Sequence, residues 1–534
     1  MSEMRVPMPR HLNLATDLID DQEKIVENRG IAPSPEKSAN VGFLRQIFSF
    51  PAMLGGLLVV VVFVAKRNFD VDPDLWWHLK VGENILATHH WPTSDPYSFT
   101  ASGQPWLAYE WLGDVLFAAV ARIGGLRGLQ GLLIVLGVAI VLALYGYATL
   151  RSGNSKAGFL TAAVLLFLAA FNFNLRPQML GYLFLILTAI ALELFRQGKS
   201  TALWFLPFLF LLWINTHGSW EIGLGTILIY WVCGLRQFRM GDIETRAWNP
   251  QERVRLSLVF LLCLAVILIT PYGTKLAAYP FDVASSLPLN LAYIDEWQPM
   301  PLALTGPRLF LAMVLGTFAM QIAFQFKWRI EDLVLFLGGA VMAFIHSRFL
   351  LIFVPFFAPL LATGLARWIP GYAREKDRYV LNAAMMAAIL VGMIHYFPSR
   401  ARIEENVAKQ FPVGAVNYLQ IHPISGAMFN SYGFGGYLVY SRGDQHKVFI
   451  DGRGELYEHG GVFADYAHIS LLKPGVLSVL RNYGIEACLL QREERLAVFL
   501  AGLPEWNTVY SDNVSVLLVR KDSNYSTGPL NGRQ

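Results

Sequence analysis

Long apolar runs recur along most of the chain, and they constrain its fold more than any other feature. A helix needs about 20 apolar residues to cross a bilayer, or about 17 at the lower limit. About eleven runs approach that length, and they centre on residues 48–66, 128–149, 157–172, 178–195, 201–216, 219–235, 254–270, 308–326, 330–346, 348–366 and 378–396. The pattern predicts an α-helical polytopic membrane protein.

The composition supports this prediction. Of the 534 residues, 54% are hydrophobic and only 15% are charged, whereas soluble domains are roughly 45–50% apolar and about 25% charged. These values argue against a disordered chain and against a nucleic-acid-binding protein. The chain has three cysteines, which is too few for a disulfide framework, and no Cys–His cluster has the spacing of a zinc site.

The distribution of positive charge predicts the orientation of the helices, because Lys and Arg collect in cytoplasmic loops. The segments expected on the cytoplasmic side are 1–47, 150–156, 196–200, 236–255, 327–329 and 367–378. The N-terminus is then cytoplasmic and the C-terminus extracytoplasmic. Residues 1–47 are polar and have no early apolar core, so we interpret them as a solvated tail and not as a cleaved secretory signal.

One segment fits this scheme less well. Residues 110–123 are apolar but short, and they include Glu110 and Asp114. We interpret the segment as an interfacial helix on the outer face. The alternative is a short span, which would invert the charge bias of every later loop.

Two long outer loops interrupt the predicted membrane module, which covers residues 48–396. The first loop, 66–127, carries acids and tryptophans, and its segment Leu75–Leu86 is predicted to be an amphipathic helix in the membrane interface. Its acids are Asp70, Asp72, Asp74, Glu83, Asp95, Glu110 and Asp114. The second loop, 271–307, includes Tyr279, Glu296 and Trp297.

Residues 397–534 return to turn signals and short strands, which predict a small extracytoplasmic α/β domain. Strands are expected at 427–430, 436–440, 447–451, 487–490, 508–511 and 515–520, and helices at 413–420, 462–472, 476–482 and 493–501. The glycine-rich stretch 432–437 precedes a predicted strand, so we interpret it as a turn and not as a phosphate loop. The stretch 450–454 is a ligand-binding turn or a plain hairpin, and the hairpin is favoured.

Two carboxylates stand out as candidates for catalysis. Asp72 and Asp74 lie in the stretch D-P-D-L-W-W-H, directly after the first predicted span. A partly buried carboxylate there can act as a general base with a raised pKa.

A second set of polar residues lies at the outer ends of later spans. Ionisable groups at this depth are costly and usually face a cavity or a partner. The set comprises Asn172, Asn174, Arg176, Asn215, His217, Glu221, His346 and Arg348. Because arginine binds phosphate through two parallel hydrogen bonds, Arg176 and Arg348 suit an anionic lipid phosphate.

The layout resembles the polytopic GT-C glycosyltransferases, which use polyprenyl-phosphate sugars. These include protein O-mannosyltransferases, aminoarabinose transferase and the catalytic oligosaccharyltransferase subunit. Further motifs similar to those of uncharacterised bacterial relatives are T-S-D-P-Y-S-F-T at 93–100, E-W-L at 110–112, R-P-Q at 176–178 and N-T-H-G at 215–218. The resemblance covers residues 45–400 and implies a bacterial inner-membrane location, with Asp72 as the first catalytic candidate and Asp74 as the second.

The resemblance implies that a sugar moves from a polyprenyl-phosphate donor to a lipid, glycan or protein acceptor at the outer face. The catalytic candidates are Asp72, Asp74 and Glu110, and the candidates for substrate binding are Asn174, Arg176, His217, His346, Arg348, Trp76, Trp77 and His78. We expect Arg176 and Arg348 to stabilise the departing phosphate, His217 or His346 to position it, and Glu110 to orient the loop or a sugar hydroxyl. Trp76 and Trp77 are lipid anchors or a sugar-stacking wall.

Some family features are missing. The second acidic motif of many members falls here near 172–176, where no carboxylate stands. This weakens a metal-dependent mechanism, and a divalent metal stays an open alternative. Two rival functions stay open: a lipid or glycan flippase or transporter, and a non-catalytic membrane assembly protein.

Overall fold

The computed structural model describes residues 44–69, 71–169, 173–286, 288–443 and 445–521. In the membrane module the helices are α1 (Phe50–Lys66), α2 (Asp74–Thr88), α3 (Trp111–Ser152), α4 (Ser155–Ala169), α5 (Gln178–Arg196), α6 (Leu206–Ile214), α7 (Trp220–Cys233), α8 (Pro250–Val266), α9 (Thr274–Ser286), α10 (Pro288–Tyr293), α11 (Thr305–Phe324), α12 (Ile330–Ile345), α13 (Leu350–Leu365) and α14 (Tyr379–His395).

The C-terminal region adds α15 (Arg400–Ala408), α16 (Val413–Ile421), α17 (Tyr432–Arg442), α18 (Gly454–His459), α19 (Val462–Ser470), α20 (Val476–Asn482) and α21 (Arg495–Ala501). The strands are β1 (Phe238–Met240), β2 (Ile243–Thr245), β3 (Trp328–Arg329), β4 (Ala427–Asn430), β5 (Ile485–Gln491), β6 (Trp506–Ser511) and β7 (Ser515–Arg520). Part of the predicted tail, residues 1–43, lies outside the described residues, as do Asp70, Asn172 and residues 522–534.

Each of the eleven apolar runs contains a helix, and local signals define several of their ends. At the start of α1 the Ser49 hydroxyl accepts a hydrogen bond from the Ala52 amide, and Pro51 lies in the first turn. At the start of α8, Asn249 and Glu252 form a reciprocal capping box.

By length and composition, four helical segments among the described residues can cross a membrane: Trp111–Ser152, Gln178–Arg196, Thr305–Phe324 and Ser347–Leu365. The bent pair α14 and α15 is a fifth if it forms one span. Shorter apolar helices include α1 and α7. These helices agree with a membrane protein, and the number of eleven spans stays a prediction.

Contacts join several of the segments that are predicted to be cytoplasmic. On the predicted cytoplasmic side, Arg151 pairs with Glu193 at 3.1 Å and with Asp332 at 2.5 Å, which joins α3, α5 and α12. Strand β2 pairs with β3 in parallel, so the two predicted cytoplasmic loops that contain them also meet.

Helix α2 differs from the expected surface helix. Its apolar residues, including Leu75, Leu79 and Val81, are almost fully buried. One side packs so closely on α3 that a Cβ atom at Gly82 would overlap the Asp114 carbonyl oxygen. Protein therefore covers the helix on more than one side, and it is not the exposed amphipathic helix that the sequence predicts.

The segment 110–123 forms the first part of α3. Gly125 interrupts the helix with φ 56° and ψ −150°, a conformation that glycine adopts at low cost. The helix before this bend includes the fully buried Asp114.

The C-terminal region folds around a four-stranded sheet of order β4-β5-β7-β6, in which β4 and β5 are parallel and the other pairs antiparallel. Four predicted strands are present. The predicted strand at 436–440 is instead part of α17, with Phe434 and Leu438 buried on one face at helical spacing. The stretch 432–437 is thus a helix start after β4 and not a turn before a strand. Within the predicted strand at 447–451, Val448 forms only an isolated bridge, to Ser98.

The C-terminal domain shares a hydrophobic core with the first outer loop, which contributes Tyr97 and Trp106. Arg453 is fully buried at this junction and pairs with Asp95 at 2.7 Å and Asp451 at 2.6 Å. The stretch 450–454 is therefore not a simple hairpin, since its charged residues form a buried connection between two parts of the chain.

Candidate functional site

A cavity of about 700 Å³ lies where the outer ends of the membrane helices meet both outer loops and the C-terminal domain. Seven of the predicted site residues line it: Asp74, Trp77, His78, Glu110, Arg176, His217 and Arg348. Among the described residues, the lining does not include Asp72, Asn174, Trp76 or His346. Residues from five separate segments of the chain therefore line the same cavity.

Arg176 occupies the centre of a carboxylate cluster. Its guanidinium lies 2.7 Å from Asp72 Oδ1, 2.8 Å from Asp74 Oδ2 and 3.3 Å from Glu296 Oε2. It comes from the turn before α5, and the carboxylates come from the two outer loops. The positive charge of Arg176 is therefore largely balanced by its protein partners.

Asp72 lies behind Arg176, and its hydrogen bonds stabilise the local structure. Its Oδ1 accepts a hydrogen bond from the Asp74 amide at 3.0 Å, and its Oδ2 accepts one from Asn174 Nδ2 at 3.3 Å. These contacts fix the start of α2. Asn174 thus orients Asp72 and does not line the cavity.

Asp74 presents its carboxylate to the cavity. Burial raises the pKa of this carboxyl to about 7, although the nearby Arg176 opposes the shift, while Asp72 and Glu296 add to it. A carboxyl group that changes protonation near neutral pH is suited to accept a proton from a substrate.

Glu110 lies between two imidazoles. Its Oε2 is 3.6 Å from His78 Nε2, and its Oε1 is 3.5 Å from His217 Nε2. His78 Nδ1 lies 2.6 Å from Asp114 Oδ1. Burial raises the pKa of Glu110 to about 8 and lowers the pKa of both histidines, to about 3 for His217, so the imidazoles are neutral at neutral pH.

Arg348 is less constrained by carboxylates than Arg176. It lies 3.5 Å from Glu296 Oε1, and its guanidinium carbon is 4.0 Å from the centre of the Trp297 ring. His346 does not reach the cavity, because its Nδ1 is 2.5 Å from the Trp297 carbonyl oxygen. His346 therefore supports the segment that carries Trp297.

Trp76 and Trp77 have different surroundings. Trp77 lines the cavity. Trp76 is 2% exposed and packs edge-on against Phe411 and Tyr437. The expectation that Trp76 anchors lipid or stacks on sugar is wrong, because other aromatic rings cover it.

Several lining residues were not predicted as site residues. They share an acidic or aromatic character and come mostly from the second outer loop and the C-terminal domain: Tyr109, Tyr182, Tyr279, Glu296, Trp297, Tyr432 and Glu455. Tyr109 and Tyr279 stack with ring centres 4.3 Å apart. One sequence feature could have identified the second loop as part of the site. This feature is the acid next to a tryptophan at 296–297, which is similar to the stretch 74–77.

The cavity does not offer the donor set of a metal site. Among the described residues, no group of three or more His, Cys, Asp or Glu side chains is arranged to hold a metal ion. The carboxylates of Asp72, Asp74 and Glu296 converge on the Arg176 guanidinium, which takes the position that a cation would need. A divalent metal does not fit this arrangement.

No protein-family model and no curated protein matches the sequence. The fold matches that of the Archaeoglobus fulgidus oligosaccharyltransferase tethered with an acceptor peptide, with a TM-score of 0.50, 11% identity and coverage of 83% of this chain and 69% of that chain. ArnT from Cupriavidus metallidurans bound to undecaprenyl phosphate is matched with a TM-score of 0.48 and 14% identity over 89% of this chain and 98% of that chain. At 11% identity the first match concerns the fold alone. The chain therefore shares the fold of this archaeal oligosaccharyltransferase, one of the proteins that the layout of its sequence resembles.

Proposed function

We propose that this protein is a membrane glycosyltransferase that moves a sugar from a polyprenyl-phosphate donor to an acceptor at the outer face of the bacterial inner membrane. One observation carries the proposal: a single cavity combines two arginines with a carboxyl group that titrates near neutral pH. Such a combination can hold a phosphate and accept a proton in the same space. The GT-C fold supports the same reaction class.

Arg348 is the main candidate for binding the phosphate. Its only carboxylate partner that is described lies at 3.5 Å, whereas Arg176 has three closer ones. A guanidinium with free donors can form two parallel hydrogen bonds to phosphate oxygens. The Cupriavidus metallidurans relative in fold was solved with undecaprenyl phosphate, which makes that lipid a suitable probe.

Asp74 is placed ahead of Asp72 as the general base, because Asp74 lines the cavity and Asp72 binds Arg176 and Asn174 behind it. In the proposed step Asp74 takes the proton of an acceptor hydroxyl, and the acceptor oxygen bonds to the anomeric carbon. The bond from that carbon to the phosphate oxygen breaks, and the polyprenyl phosphate leaves. Attack opposite the leaving group inverts the anomeric configuration.

The test uses purified full-length protein and a panel of undecaprenyl-phosphate-linked monosaccharides with radiolabelled sugars. Bacterial envelope lipids, glycans and proteins serve as acceptors. We expect transfer from at least one donor, and we expect Asp74→Asn to reduce it strongly. Glu493→Gln, an exposed residue of the C-terminal domain, is the control.

Two results would contradict the proposal. One is a rate of sugar transfer that does not change when both Asp72 and Asp74 are replaced with Asn. The other is the movement of undecaprenyl phosphate across proteoliposomes without transfer from any donor, which would favour a flippase. Binding of a partner protein without either activity would favour an assembly function.

A further inference from the structure

A chain of ionisable side chains that the proposed base does not use reaches the cavity from the protein interior. It runs from Asp114 through His78 to Glu110, and His217 contacts Glu110 from the other side. Asp114 is fully buried and His78 is 2% exposed. Burying such groups is costly, so their arrangement needs an explanation.

Hydrogen-bond partners fix the tautomer of His217. The Ser219 amide donates to His217 Nδ1 at 3.1 Å. The Ser219 hydroxyl is 2.8 Å from the same nitrogen and itself accepts a hydrogen bond from Trp213 Nε1. His217 Nδ1 is therefore an acceptor, and in the neutral ring the proton lies on Nε2, directed at Glu110 Oε1.

His78 has the opposite arrangement. Its Nδ1 lies 2.6 Å from Asp114 Oδ1. When Asp114 is ionised, Nδ1 carries the proton of the neutral ring and Nε2 is an acceptor. This nitrogen faces Glu110 Oε2 at 3.6 Å. An ionised Glu110 would place two acceptors opposite each other, so the contact is favourable only when a proton lies between them.

We propose that Glu110 and His78 Nε2 share one proton, with His78 oriented by Asp114, and that Glu110 donates this proton to the departing polyprenyl phosphate. The inference rests on the proposed function for its substrate. As the bond from the anomeric carbon to the phosphate oxygen breaks, the Glu110 proton moves to a phosphate oxygen, while Asp74 receives the acceptor proton. The lipid leaves as a hydrogen phosphate, and transfer of a proton from Asp74 to Glu110 restores both groups.

The charges in the cavity explain why this proton matters. The charge of Arg176 is balanced by three carboxylates, so little positive charge is left for a second negative charge on the phosphate. In a site of low dielectric constant, a second negative charge on the phosphate is costly. A proton supplied in the reaction neutralises that charge and so lowers the cost. The gaps of 3.5 and 3.6 Å around Glu110 are typical of catalytic contacts that shorten when substrate binds.

The charged groups that face Glu110 support the assignment. The burial of Glu110 is the main cause of its raised pKa of about 8, and Asp74 and Glu455 raise it further. Arg176 and Arg348 oppose this shift. With His78 and His217 neutral, Glu110 is the carboxyl group of this cluster that lines the cavity and carries an exchangeable proton at neutral pH.

The first experiment measures transfer against pH for the donor that the panel above identifies. The wild type is expected to lose activity as pH rises through about 8, because Glu110 then loses its proton. Glu110→Gln is expected to be slower by about 10²-fold or more and to lack this alkaline decline. Asp114→Asn is expected to shift the decline, since it acts through His78. An unchanged alkaline decline in Glu110→Gln would overturn the inference and leave the proposed transferase intact.

The second experiment does not need transfer. Infrared spectra of the purified protein are recorded across neutral and mildly alkaline pH, and the Glu110→Gln spectrum is subtracted from the wild-type spectrum. We expect a protonated carboxyl band that disappears near pH 8 and is altered in Asp114→Asn, whereas Glu493→Gln matches the wild type. A missing band in folded protein, checked by thermal unfolding, would refute the shared proton. If the band is present but no sugar is transferred, the result supports the shared proton and refutes the proposed reaction.

Discussion

Gly452 of the C-terminal domain lies directly against the carboxylate of Asp74. A Cβ atom at this glycine would overlap Asp74 Oδ1 and would come within 3.1 Å of Trp77 Nε1. Gly436 in α17 is similarly close to the Pro73 carbonyl oxygen. Two separate segments of the C-terminal domain therefore fit against the start of α2 and leave no room for a side chain.

Replacing Gly452 with alanine should displace the Asp74 carboxylate. We expect transfer by Gly452→Ala to fall at least about 10-fold, because misplacement of a reacting group by about 1 Å can cost 10²-fold. The measurement is kcat and KM in the transfer assay. Gly460→Ala is the matched control, since the new Cβ would meet only Val462 Cγ2 at 3.8 Å. Equal rates in the two variants would show that the close fit at Gly452 does not position the base.

On the acidic side, the rate of transfer should rise with pH as the Asp74 carboxyl loses its proton. Burial raises the pKa of Asp74 to about 7, so the carboxyl is protonated and inactive as a base below that pH and becomes active above it. We expect Asp74→Asn to remove this rise and to reduce kcat by about 10²- to 10⁴-fold. Initial rates across the pH range check both effects. An acidic rise that persists in Asp74→Asn would assign the base to another group.

Removing the guanidinium of Arg348 should weaken binding of the lipid phosphate. A hydrogen bond to a charged group contributes about 1.5–3 kcal/mol, so Arg348→Gln is expected to raise the Kd for undecaprenyl phosphate by roughly 10- to 100-fold. Arg348→Lys keeps the charge but loses the planar pair of donors, and an intermediate value is expected. The quenching of tryptophan fluorescence on titration with undecaprenyl phosphate measures both. Identical affinities in all three proteins would place the phosphate elsewhere.

The buried Arg453 should be essential for attaching the C-terminal domain to the first outer loop. Arg453→Met leaves Asp95 and Asp451 buried without their cation, and breaking such a pair costs about 3–5 kcal/mol. We expect a clear decrease in the thermal unfolding temperature of the detergent-purified protein. Arg400→Gln removes an exposed ion pair with Glu404 and should cause no measurable change. A wild-type unfolding temperature in Arg453→Met would mean that packing alone holds the junction.

The sequence predicted the cavity residues best where the spans given by hydropathy could be combined with the orientation given by charge. Arg176, His217 and Arg348 were grouped because the orientation of the spans puts their turns on one face, and the structure brings them into one cavity. Local periodicity was less informative in the C-terminal domain. The short stretch from 436 to 440 has the aromatic and apolar residues typical of a strand, but Phe434 and Leu438 are four residues apart and are buried on one face of a helix.

Other features depend on partners that are distant in the sequence. Trp76 looks like an interfacial tryptophan until Phe411 and Tyr437 cover it. Glu455 gave no signal, because the tail looked like a separate domain and nothing local shows that it reaches the cavity. The order of Asp72 and Asp74 likewise depends on Arg176, which binds both carboxylates and leaves only Asp74 facing the open space.

The contact between Gly452 and Asp74 has a consequence for biosynthesis. The ribosome makes Asp74 early, but the segment that completes its surroundings emerges only after the last predicted span. The nascent chain therefore inserts its helices while the cavity still lacks a wall, and a truncated or stalled chain contains the carboxylate without its full setting. Under the proposed function, the ability to act on lipid-linked substrate would then arise only at the end of synthesis.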